Sequence, residues 1–73
     1  MSIMQIFSLE GHPYIALNDL LKVEGLSESG GQAKLAIAAG QVMVDGKVEL
    51  RKTCKLYVGQ VVEFQGQSVT ISE

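Results

Sequence analysis

Four of the six basic residues in this chain, Lys47, Arg51, Lys52 and Lys55, fall within nine positions. Cations gathered this tightly suit phosphate: lysine supplies a point charge, and arginine grips two oxygens at once. Lys34 adds a fifth cation. Ser29-Gly30-Gly31 offers a second kind of anion site. Ser29 reads as the N-cap of a helix, with Gln32 three residues on, as in a capping box. A helix start presents free N–H groups and partial positive charge. Without side chains at 30 and 31, a phosphate can approach the backbone closely. Two plainer readings stand beside these. A charged loop is ordinary solvated surface, and paired glycines serve equally to permit a link or a close helix contact.

Other chemistry finds little support. His12 is the single histidine and sits beside Pro13 in a turn; Cys54 is the single cysteine. Neither belongs to a set with metal-ligand spacing, and nothing orients them as a dyad. Lys52 and Lys55 flank Cys54 closely enough to lower its pKa, although a half-buried small residue is the preferred reading. No Gly-rich loop follows a strand, as a nucleotide site requires. Asp19, Glu24 and Glu28 read as helix-start and solvent-facing charges. No metal and no cofactor is expected, and the chain is not expected to be an enzyme. Tyr14 and Tyr57 can stack on unpaired bases, but packing in the core or at its rim is preferred for both. Gln32 and Gln41 can add base or sugar hydrogen bonds.

The length of 73 residues allows one domain, 1–73, with a small core. Aromatic content is 5%, without Trp, so that core must come from Leu, Ile, Val, Ala and Met. A lone cysteine excludes an internal disulfide. The first ten residues carry neither a basic stretch nor a long apolar run, so no signal peptide is expected, and a cytoplasmic protein is. No stretch approaches a membrane span. The net charge of −2 excludes a strongly basic nucleic-acid binder. Any phosphate site must therefore be local. Glu10, Asp19, Glu24, Glu28 and Glu63 lie mostly outside the cationic segment.

The elements that must position these groups follow from periodicity. Gln5–Leu9 reads as a strand with Ile6, Phe7 and Leu9 in apolar contact, and Glu10-Gly11-His12-Pro13 ends it. Leu17, Leu20 and Leu21 share one helical stripe. Asn18 and Asp19 supply capping at its start, and Gly25 stops it. A second helix runs from Ser29, with Ala33, Ala36 and Ile37 inward, to Gly40. Val42 and Val44 then alternate into Asp45-Gly46, a strong hairpin signal, and Lys47–Leu50 returns. Val61–Phe64 and Ser68–Ile71 are further strands about a Gln65-Gly66-Gln67 turn, with Val69 and Ile71 inward. The fold class is α+β: two short helices packed on a small, mostly antiparallel β-sheet.

The ordered set Leu17, Leu21, Gly25, Ser29, Ala33, Ile37, Gly40, Val42, Val44, Asp45, Gly46, Gly59 and Val61 resembles the RNA-binding domain named after small-subunit ribosomal protein S-four, the alpha-L motif. It covers about 15–64, and is similar in particular to the small stand-alone YbcJ-like branch of bacterial proteins. The resemblance implies non-enzymatic binding of structured RNA, ribosomal RNA among the candidates, through phosphate contacts and shape. It further implies that helix two and the hairpin flank one groove. The candidate site is Ser29, Gly30, Gly31, Lys34, Lys47, Arg51, Lys52 and Lys55. The chain departs from the wider family in three places. Gly30 stands where an Arg follows the capping Ser, Ala16 replaces an Arg, and Asn18 replaces an Asp near the start of helix one. A protein-binding adaptor that kept the fold without RNA affinity is the alternative, and a protein partner is compatible with either reading.

Overall fold

Leu17, Leu20 and Leu21 are fully buried in the computed structural model, which describes residues 3–73, as their shared helical face demands. Seven strands and two helices follow in the order β1 (Ile3–Ser8), β2 (Ile15–Ala16), α1 (Leu17–Val23), α2 (Gly30–Ala38), β3 (Val42–Val44), β4 (Lys47–Val48), β5 (Lys55–Leu56), β6 (Val61–Phe64) and β7 (Gln67–Ser72). Five strands form one sheet in the order β1-β7-β6-β3-β4, and β2 pairs with β5 in a second. All pairings are antiparallel except β1 with β7. The α+β expectation holds.

Alternation places the core. Val42 and Val44, Val62 and Phe64, and Val69 and Ile71 turn to the helix side and are buried with the α1 stripe, Ala33 and Ile37. Ala36 packs at the margin of this cluster. The same alternation corrects one expectation. Phe7 packs against the core, so its neighbour Ile6 must face outward, and it is 75% exposed. Leu9 is buried just beyond the end of β1.

Both helices stop as their glycines predict. At α1 the Gly25 N–H donates to Lys22 O and the Leu26 N–H to Leu21 O. At α2 the Gly40 N–H donates to Ile37 O and the Gln41 N–H to Ala36 O. Each pair is a Schellman motif, which needs a left-handed residue; φ is +73° at Gly25 and +77° at Gly40.

The start of α1 differs from expectation. Its N-cap residue is Ala16, and no side chain caps it. Instead the Leu17 N–H donates to Cys54 O at 2.9 Å and the Asn18 N–H to Lys52 O at 3.1 Å. The β2–β5 ladder explains this. It runs straight into the helix, so carbonyls of the basic loop already lie over the helix end. Asn18 Oδ1, freed from capping, is buried without a hydrogen-bond partner. At α2 Ser29 Oγ accepts the Gln32 N–H at 3.2 Å, as expected. The reciprocal bond from the Gln32 side chain is absent from the hydrogen bonds among the described residues.

The hairpin turns at Asp45 and Gly46, both left-handed (φ 52° and 82°), as a two-residue type I′ turn requires. Its return strand is shorter than expected and ends at Val48, although the Glu49 N–H still donates to Val42 O. Beyond it the Glu49 carboxylate turns back to take the Arg51 N–H at 3.0 Å, which bends the chain away from the sheet.

Candidate nucleic-acid interface

The cationic segment is built as one wall of an open groove. Lys47 leaves the hairpin, Arg51 the bend after Glu49, and Lys55 the strand β5; together with Tyr57, Asp45 and Gln60 they line it. Lys52, also exposed, lies within the same loop. The loop is held rigidly at its base. Its Lys52 and Cys54 carbonyls are bound by the start of α1, and Leu56 is fully buried.

Two carboxylates share the groove, which charge placement along the sequence did not anticipate. Both are occupied. Asp45 accepts the Val61 N–H through Oδ1 at 3.0 Å and Gln60 Nε2 through Oδ2 at 3.2 Å. Gln60 Oε1 in turn accepts the Tyr57 N–H at 2.8 Å. Asp45 is thus a turn residue and also the post that fixes the 57–60 turn against the hairpin. Glu49 grips Arg51 in a fork, accepting Nε at 2.9 Å and Nη2 at 3.1 Å. This is the single ion pair among the described residues. Part of the Arg51 guanidinium is therefore spent within the protein, while Lys47, Lys52 and Lys55 make no ion pair among the described residues.

The hydrogen bonds from the Arg51 side chain and backbone hold the Glu49 carboxyl at about 2, below its usual 4.5. A carboxyl depressed on folding stabilises the folded state above its unfolded pKa, and that contribution is lost as pH falls through the folded value. Glu49→Gln is accordingly expected to lower stability near pH 6 by on the order of 1 kcal/mol, a figure discounted for the solvent-exposed Arg51. The difference between variant and wild type should shrink as pH falls from about 4.5 towards 2. Urea midpoints at pH 6 and pH 2.5 test this, and a gap that persists in acid would contradict it.

Cys54 is 8% exposed and joins the core cluster. Burial, followed by the nearby Glu49 carboxylate, pushes its thiol up. The flanking lysines do not activate it, and the residue expected to be half-buried lies in the core instead. His12 stands in the exposed turn after β1. Among the described residues no three His, Cys, Asp or Glu side chains gather where they could hold a metal ion. No helix among them is long and apolar enough to cross a membrane.

The remaining expected site residues lie elsewhere. No α2 residue lines the cationic groove, contrary to the implied arrangement. The hairpin meets the C-terminal end of α2, where Val48 and Leu50 lie over Gly40. Ser29, Gly30 and Gly31 are at the opposite end of a nine-residue helix, about 13 Å away. Lys34 is exposed on α2. Gln32 and Gln41 line a smaller groove between α2 and the turn before β7. A Cβ at Gly30 would meet nothing within 4 Å, and at Gly31 only Ser29 Oγ. Neither glycine has a positive φ. A close helix contact therefore does not account for them, and the helix start stands open.

Sequence reasoning singled out both tyrosines but not their pairing. Tyr14 and Tyr57 are 40% and 49% exposed, with ring centroids 6.1 Å apart. Lys55 Nζ lies 4.9 Å from the Tyr14 ring centroid.

Comparison with known proteins adds four findings. A family model described as S4 domain matches residues 7–72. An Escherichia coli protein named "Putative RNA-binding protein YbcJ" is 62% identical over 68 residues, covering 93% of this chain and 97% of that protein. A Bacillus subtilis protein named "Probable ribosome maturation protein RlbA" is 40% identical over 52 residues, covering 71% and 73%. Among solved structures, the solution structure of YbcJ from E. coli, described as revealing an alfaL motif involved in RNA-binding, superimposes with a TM-score of 0.75 at 60% identity. It covers 100% of this chain and 92% of that one.

Proposed function

Because the chain belongs to the S4 domain family, we propose that it is a non-enzymatic RNA-binding protein that docks the phosphate backbone of structured RNA against the hairpin and the 51–55 loop. The names borne by its relatives, an RNA-binding protein and a ribosome maturation protein, support this reading and make ribosomal RNA a candidate ligand. The observation that carries it is the placing of Lys47 and Lys55 on one groove, with Lys52 exposed in the loop that lines it, while the groove's two carboxylates are already engaged within the protein. A net charge of −2 does not oppose this. At physiological salt, charges beyond about 8 Å are screened, so the local cations decide. Arg51 contributes through the donors that Glu49 leaves free. Lys34 and the helix start at Ser29–Gly31 form a separate contact, with backbone N–H groups standing in for the arginine that Gly30 replaces. Under this reading the protein works in the cytoplasm, where a thiol such as Cys54 stays reduced.

Binding of a structured RNA titrated with salt tests the proposal. Contact with about three to five phosphates gives a log–log slope of roughly −2 to −4. The neutral Gly30 at the family's arginine position favours the adaptor reading, and under it no RNA binds even at low salt.

A further inference from the structure

Backbone register explains the tyrosine pair. Ile15 faces Leu56 and Ala16 faces Lys55 across the β2–β5 ladder. The next opposed positions are 14 and 57, and Lys55 lies diagonally across from Tyr14, within reach of a long side chain. In most small domains such aromatics fill the core, yet here both rings are left about half exposed. They are the only two tyrosines of a chain without Trp. Their planes are tilted by 54°, so neither ring covers the other face to face. Tyr57 lines the cationic groove beside Lys47, Arg51 and Lys55. Its backbone is fixed by Gln60, which Asp45 holds in turn. A rigidly held, half-exposed aromatic next to cations is a platform for a base whose own phosphates the cations take.

We propose that Tyr57, buttressed by Tyr14, stacks on an unpaired base, so that the RNA bound in this groove is a helix interrupted by an extruded nucleotide. The proposal rests on the RNA-binding reading above and names the class of RNA. Lys55 serves twice, steadying the Tyr14 ring from one side and meeting phosphate beside the base. A fully paired stem keeps its bases in the stack and offers Tyr57 nothing.

The experiment compares two RNA hairpins that differ by one unpaired adenosine in the stem, with wild type, Tyr57→Leu, Tyr14→Leu and Tyr57→Phe. Wild type is expected to bind the bulged hairpin about tenfold more tightly than the paired one. Tyr57→Leu should lose that preference while still binding the paired stem, and Tyr14→Leu should reduce it. Tyr57→Phe, which keeps the ring, should retain it. Tyrosine emission, which reports on these two residues alone, should be quenched only by the bulged hairpin. 2-Aminopurine in place of the unpaired adenosine reads the same stacking from the RNA side. Equal affinity of wild type for the two hairpins overturns the stacking site and leaves the phosphate site standing. So does an undiminished preference in Tyr57→Leu. Absence of binding to either hairpin overturns the RNA reading itself.

Discussion

Leu56→Ala is expected to cost about 3 kcal/mol of folding stability, the ordinary cost of emptying a fully buried leucine site. Leu56 has no exposed surface and belongs to the single core cluster. In a chain of 73 residues the total is roughly 4–11 kcal/mol, so this one change removes a large share. The midpoint of thermal unfolding should fall by roughly 15 °C. Val58→Ala is the matched control. Val58 is 51% exposed two residues away, and its truncation should stay within about 0.5 kcal/mol. Paired urea titrations of the two variants measure both. A Leu56 variant no weaker than the Val58 variant would mean that β5 is not anchored through the core. The site depends on that anchor. Leu56 sits between Lys55 and Tyr57 on the short strand that sets both, so its loss should loosen the groove before it unfolds the chain.

Local patterns carried the fold far. The Leu17, Leu20 and Leu21 stripe, the Ser29 cap, the two glycine stops and the Asp45-Gly46 turn are each decided within a few residues, and all stand where their spacing put them. The alpha-L resemblance drawn from residues 15–64 is borne out by the structural match to YbcJ. What escaped is set by partners distant in sequence. The β2–β5 ladder is two residues long and too short for any periodicity, and from it follow both the backbone capping of α1 and the opposition of the tyrosines. The parallel pairing of β1 with β7 joins the two ends of the chain, which no local signal encodes. The Glu49–Arg51 fork was closer to hand. An acid two residues before an arginine at the end of a hairpin was a readable warning that this cation is shared.

The largest effect on affinity is expected from Lys47→Ala, Lys52→Ala and Lys55→Ala combined. Each phosphate contact releases counterions and adds about 0.9 to the salt slope on duplex nucleic acid. Losing three should flatten the log–log slope by about 2 to 3 and weaken binding on the order of 10²-fold at 0.1 M salt. All three side chains are exposed and free of ion pairs among the described residues, and Lys55 gives up its contact with the Tyr14 ring, so stability should move by no more than about 1 kcal/mol. Affinity and folding thereby separate. Arg51 is left intact by design, because removing it would uncover the Glu49 carboxylate and add repulsion to the lost attraction. Lys34→Ala, made alone, should change the slope by about 1, reporting the contact at helix two apart from the groove. A filter-binding or anisotropy titration at several salt concentrations reads all of these. A triple variant with the wild-type slope would show that the groove is not where phosphate binds, however well the protein as a whole binds RNA.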